Sequence, residues 1–151
     1  MNRFENMVNE IGLTTYVKDK KIPKAKIKDS QGIVEFVRQI WDEDLLIREC
    51  FYVVFLNRGG YTLSWNKLSE GGTAGTVVDF KIIAKLAIDV LAHSIILCHN
   101  HPSGNLLPSE QDKSITNRVI EGLKVLDIEV LDHIILTQES YFSFSDEGLM
   151  T

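Results

Sequence analysis

Cysteine is scarce in this chain. Cys50 and Cys98 lie far apart with no CxxC pair, which excludes a disulfide framework and a four-cysteine zinc site and fits a reducing cytoplasm. No run approaches the roughly 18 consecutive apolar residues of a membrane span, so no membrane role is expected. Glu5 and Glu10 interrupt the N-terminal region where a secretory signal would need unbroken apolarity. Internal repeats, low-complexity tracts and linkers rich in Pro, Gly and Ser are also missing, which argues against a solenoid or a string of domains. The glycine-rich segment Glu70–Gly75 lacks both the GxGxxG spacing and the GxxxxGK pattern of phosphate loops, and reads as a connection.

What remains is enough for one globular domain. A chain of 151 residues with 44% apolar side chains can bury most of them in a single core. The formal charge of −5 is unevenly spread. Lys18, Lys20, Lys21, Lys24, Lys26 and Lys28 stand against Asp19 alone, a local +5 that leaves −10 for the rest. Clustered lysines can contact nucleic acid by releasing counterions from phosphate. With no aromatic residue for base stacking, the same stretch also reads as a solvated, extended N-terminal arm over residues 1–29.

From Asp29 or Ser30, Ile33, Phe36, Val37, Ile40 and Trp41 recur at helical spacing and predict a helix to about Asp44. The β-forming run Phe51–Leu56, a turn at Asn57–Gly60 and Tyr61–Trp65 predict a hairpin. Asp79 can cap a helix through Lys81 to Ala92, and Ser94–His99 is a short apolar run between a helix and a loop, as expected of a buried central strand. A helix opened by Ser109, with Ile115, Val119, Leu123 and Leu126 on one stripe, precedes strands at Ile128–Leu136 and Tyr141–Phe144. The pattern predicts a layered α/β domain, a sheet flanked by helices.

The informative segment is HNHPSGNLLPSEQD, His99 to Asp112. Residues i and i+2 at a strand end point to one side, so His99 and His101 can converge on one cation while Cys98 faces away. Pro102, Gly104 and Pro108 shape a loop, and a Ser109 N-cap puts Asp112 at the third helical position. Two imidazoles and a carboxylate suit zinc and leave a fourth position for water, as a catalytic site requires. Taken singly, these residues could be surface decoration, with Asp112 complementing the helix dipole. Jointly, H-x-H-P-x6-S-x2-D would arise by chance on the order of once in 10⁵ chains of this length.

That segment resembles the JAMM motif of the JAB/MPN metallopeptidases, whose fold is similar to that of cytidine deaminases. With the downstream VLDHIIL and the closing YFSFSDEGL, residues 30–151 resemble the C-terminal domain of the bacterial RadC family, historically labelled DNA-repair proteins. The resemblance implies an α/β/α JAB/MPN domain with a mixed central sheet and a zinc-dependent hydrolase site, with His99, His101 and Asp112 as ligands. It implies Glu49, ahead of the strand from Cys50, as the base that takes a proton from water, with Glu70 as the fallback. Ser109 matches the motif serine that would support an oxyanion, although a plain N-cap is equally open. Larger RadC proteins carry a helix-hairpin-helix region for which this chain has no room.

The expected activity is hydrolysis of a peptide or isopeptide bond in a peptide or protein substrate. A deaminase would need HxE and PCxxC, and neither occurs. The rival expectation is a non-catalytic nucleic-acid or protein-binding module in DNA repair or mobile-element biology, with the metal serving structure. His93 and His133 read as hydrogen-bonded structural residues, His133 with a possible part in orienting a ligand.

Overall fold

The computed structural model describes residues 16–18, 21–41, 45–71 and 78–150. Among them three helices and five strands occur in the order α1 (Ser30–Ile40), β1 (Cys50–Leu56), β2 (Thr62–Glu70), α2 (Phe80–Asp89), β3 (Ser94–Asn100), α3 (Glu110–Lys124), β4 (Glu129–Leu136) and β5 (Tyr141–Ser143). The strands form one sheet in the order β2-β1-β3-β4-β5. It is mixed: β3 and β4 run parallel, joined through α3, and the other neighbours are antiparallel.

Period-two alternation divides the strands between two cores. Cys50, Tyr52, Val54 and Leu56 of β1 join Ile96 and Cys98 of β3 against Ile33, Phe36, Val37 and Ile40 of α1. Phe51, Val53 and Phe55 join Ile95 and Leu97 against α2 and α3. The central strands are therefore apolar on both faces, and every residue of β1 and β3 is buried. This is the layered α/β/α arrangement that the sequence pattern and the resemblance predict. A bulge in β4, where Ile95 pairs with Val130 and Ile96 with Asp132, shifts the alternation, so that His133 shares the α3 face with His99. Gly122 of α3 lets the helices approach closely, because a Cβ there would lie 2.3 Å from the Phe80 ring of α2.

Element ends differ from the pattern. Asp29 caps α1 through Gly32 N as expected, but the helix stops at Ile40 rather than near Asp44, since Trp41 leaves in an extended conformation and packs on Tyr52 at 4.3 Å between ring centroids. Residues 42–44 lie outside the described ones. Helix α2 ends at Asp89, short of Ala92: Leu91 turns left-handed at φ 52°, and Ala92 N returns to Ala87 O, a helix stop usually marked by glycine. Strand β2 runs on to Glu70, past the expected Trp65. It is the sheet edge, where half-exposed polar residues replace apolar alternation.

Of the basic stretch, Lys18, Lys21, Lys24, Lys26 and Lys28 are exposed, and Lys20 lies outside the described residues. Ile22, Ala25 and Ile27 pack against the α1 core, and Lys26 bridges Tyr61 of the hairpin. No helix among the described residues is long and apolar enough to cross a membrane.

Candidate metal centre

The C-terminal end of β3 carries the site. His99 is the register partner of Phe51, whose ring stacks on its imidazole. The antiparallel register, carried one step further along the same face, sets Glu49 opposite His101. His101 N donates to Leu136 O at 3.0 Å, so pairing with β4 extends past the strand and keeps His101 on the side of His99. Asn100, between them, points away and grips the chain that delivers Glu49: its amide donates to Leu45 O and Arg48 O, and its Oδ1 accepts from Cys50 N at 2.7 Å.

Asp112 arrives by the predicted cap. Ser109 Oγ accepts from Asp112 N at 3.0 Å, and Asp112 Oδ2 accepts from Ser109 N at 2.8 Å, a reciprocal capping box that orients the carboxylate. His99 Nε2 lies 3.0 Å from His101 Nε2, 3.3 Å from Asp112 Oδ1 and 3.6 Å from Glu49 Oε1. His101 Nε2 lies 3.3 Å from Asp112 Oδ2. One ligand atom from each of Glu49, His99, His101 and Asp112 falls within 4.8 Å of all the others.

The donor set fits a divalent cation. The His101 Nδ1–H donates to Asn105 O at 2.6 Å, and a carbonyl only accepts, so a neutral His101 turns the lone pair of Nε2 toward a second imidazole and two carboxylates. Such a group of electron-rich atoms calls for positive charge at its centre. Where no cation sits there, protons on the imidazoles supply that charge. Burial raises the Asp112 pKa, but hydrogen bonds from His101 and His99 outweigh it and hold the carboxyl well below its usual range. The hydrogen bond to Asp112 raises the His101 pKa above 6.5, against the effect of burial.

A cleft of about 510 Å³ opens beside the cluster, lined by Glu49, His101, Ser109, Arg48 and Asn105 with Ile47 and Leu107 as apolar shoulders. The structure thus brings together Glu49, His99, His101 and Asp112, with Ser109 at the cleft wall. Glu70 stands apart, paired with Lys67 and lying 3.7 Å from Arg48. His93 is exposed at the opposite end of β3, and Cys98 faces the α1 core, where burial pushes its thiol pKa far up. No described residue of the basic stretch belongs to the cluster. Asn100 and Thr116 carry no signal in the sequence, and His133 is the buried, hydrogen-bonded residue expected there. The imidazole of His133 is fully buried and meets His99 Nδ1 at 2.7 Å.

A layered α/β domain with a mixed sheet and a Glu/His/His/Asp cluster at the end of a central strand defines the class. The model of the RadC-like JAB domain matches residues 27–149, and the chain belongs to that family. It is 44% identical over 124 residues to a UPF0758 protein of Flavobacterium johnsoniae, covering 82% of this chain and 53% of that protein. A UPF0758 protein of Porphyromonas gingivalis is 43% identical over 106 residues, 70% of this chain and 47% of that one. The UPF0758 protein YfjY of Escherichia coli is 37% identical over 105 residues, covering 70% and 66%. The chain spans about half the length of the first of these curated relatives.

Proposed function

We propose that the domain is a zinc-dependent hydrolase of amide bonds, acting on a peptide or isopeptide linkage. One observation carries the reading: a carboxylate, Glu49, stands beside a set of two imidazoles and a second carboxylate at the mouth of an open cleft. Three protein ligands with a free fourth position are the mark of catalytic rather than structural zinc sites. His99 Nε2, His101 Nε2 and Asp112 would hold the ion. Zinc bound there would supply a Lewis acid that polarises a carbonyl and lowers the pKa of water to near neutrality.

The chain's own groups do the remaining work. Glu49 takes a proton from the attacking water and returns it to the leaving amine. The Ser109 hydroxyl accepts from Asp112 N, which leaves its O–H free to donate to an oxyanion at the cleft wall. Ile47 and Leu107, each 69% exposed, offer apolar contact to residues flanking the scissile bond. This architecture suits a polypeptide substrate better than a small polar one.

Metal analysis by mass spectrometry, on untagged protein purified without chelator, is the first test. About one zinc per wild-type chain, lost in His101→Ala, is expected, followed by cleavage of a peptide library that Glu49→Gln abolishes without releasing the metal. Folded wild-type protein that rejects added zinc would overturn the reading. Salt-sensitive retention of such protein on DNA would then favour a nucleic-acid-binding module working through the exposed lysines.

A further inference from the structure

We propose that Thr116 and His133 are positioning residues that hold His99 as its Nδ1-protonated tautomer, keeping the Nε2 lone pair aimed into the cluster. The inference rests on the reading of His99 as a metal ligand. It follows from counting hydrogens along one buried path.

Thr116 sits one helical turn after Asp112, and its hydroxyl donates to Asp112 O at 2.7 Å. A hydroxyl has one hydrogen, so Thr116 Oγ1 can only accept from His133 Nδ1, which lies 2.6 Å away. His133 therefore carries its proton on Nδ1. Its ring, stacked on Phe144 and met by the edge of Phe51, has no exposure to water. In that setting the neutral form prevails, and Nε2 accepts. The acceptor faces His99 Nδ1 at 2.7 Å, so His99 must donate from Nδ1. The path thus begins at the backbone of Asp112 and ends on His99, and the Asp112 carboxylate meets His99 Nε2 across the cluster. Two ligands from separate elements are tied by one directed chain of hydrogen bonds.

An ordinary buried histidine needs its two nitrogens satisfied in either sense, whereas here the sense is imposed from Thr116. Thr116→Val keeps the shape and removes the acceptor. His133 is then free to carry its proton on Nε2 and donate to His99 Nδ1, which moves the His99 proton to Nε2, where it blocks metal.

Long-range ¹H–¹⁵N NMR of the imidazoles, on protein stripped with chelator, reads the tautomer directly. Zinc competition against a chromogenic chelator reads affinity. In wild type His99 is expected to be protonated at Nδ1. In Thr116→Val a population protonated at Nε2 appears and zinc binding weakens about 10- to 100-fold, while Thr116→Ser, which keeps the hydroxyl, restores both. Should Thr116→Val fail to fold, His133→Phe, which fills the space between Phe51 and Phe144, repeats the test. An unchanged His99 tautomer with unchanged zinc affinity in the folded variant overturns the proposal. Wild-type protein that binds no zinc would defeat the metal-site reading instead, and the NMR comparison would still decide the relay.

Discussion

Asp132 and His133 are neighbours on β4, yet they face opposite sides of the sheet and serve opposite kinds of polar cluster. On the α1 side, Asp132 is complete within the protein: Oδ1 accepts from His133 N at 2.8 Å and Ser145 N at 2.9 Å, and Oδ2 accepts from Ser143 Oγ at 2.6 Å. This clamps the C-terminal turn to the sheet. On the α3 side, His133 opens a path of hydrogen bonds that ends in a cluster of acceptors with its centre toward a cleft. A buried polar group that satisfies its neighbours is architecture, whereas donor atoms from separate elements that converge at the mouth of a cleft can take a ligand.

The comparison is broken most severely at the cluster of Glu49, His99, His101 and Asp112. His101→Ala is expected to abolish zinc binding and hydrolysis while costing chelator-stripped protein only about 1–2 kcal/mol, because the ring gives up its bond to Asn105 O and its contact with Asp112. Urea denaturation beside metal analysis reads both. Asp132→Ala should give the mirror image. It strands two backbone N–H groups and a buried hydroxyl, so a loss of about 2–4 kcal/mol is expected, with one zinc retained per folded chain. Metal loss at full stability in this variant would erase the distinction.

Acid should separate the two aspartates by sign. Asp112 is depressed below its ordinary value, so its contribution to stability is complete above the unfolded pKa and disappears as pH falls through the folded one. Burial raises Asp132 above 3.8; the folded state then takes up its proton first, and stability gains as pH falls through that raised value. In chelator-stripped protein Asp132→Asn should therefore lose stability with acid from a higher pH than wild type, read as urea midpoints between about pH 7 and 3. Zinc retention has its own dependence: with the His101 pKa above 6.5, protons compete for that nitrogen at a higher pH than for an ordinary histidine, which equilibrium dialysis across that range would reveal. The smallest change lies away from both clusters. Leu91→Gly relieves a left-handed residue and should add about 0.5–1 kcal/mol without touching zinc, a baseline for the other variants.

Much of this was legible in the chain. The two-residue spacing of His99 and His101 at a strand end and the Ser109 cap on Asp112 are local relations, and the local geometry of strand and helix start dictates them. Glu49 was reachable only through family resemblance, because its approach to His101 depends on the β1–β3 register across some fifty positions. Helix ends at Ile40 and Asp89 were misplaced for a related reason: the packing of Trp41 on Tyr52 and the left-handed turn at Leu91 have no glycine or proline to announce them.

The sequence by itself determined the layered α/β pattern, the loop from His101 to Asp112 and the chemistry of the side chains at its ends, since alternation, capping and side-chain type act within a few residues of the chain. Only the tertiary structure decided that Asp132 looks one way and His133 the other. A single-residue bulge in β4 sets that parity, and strand pairing between distant segments, rather than any local preference, determines where the bulge falls.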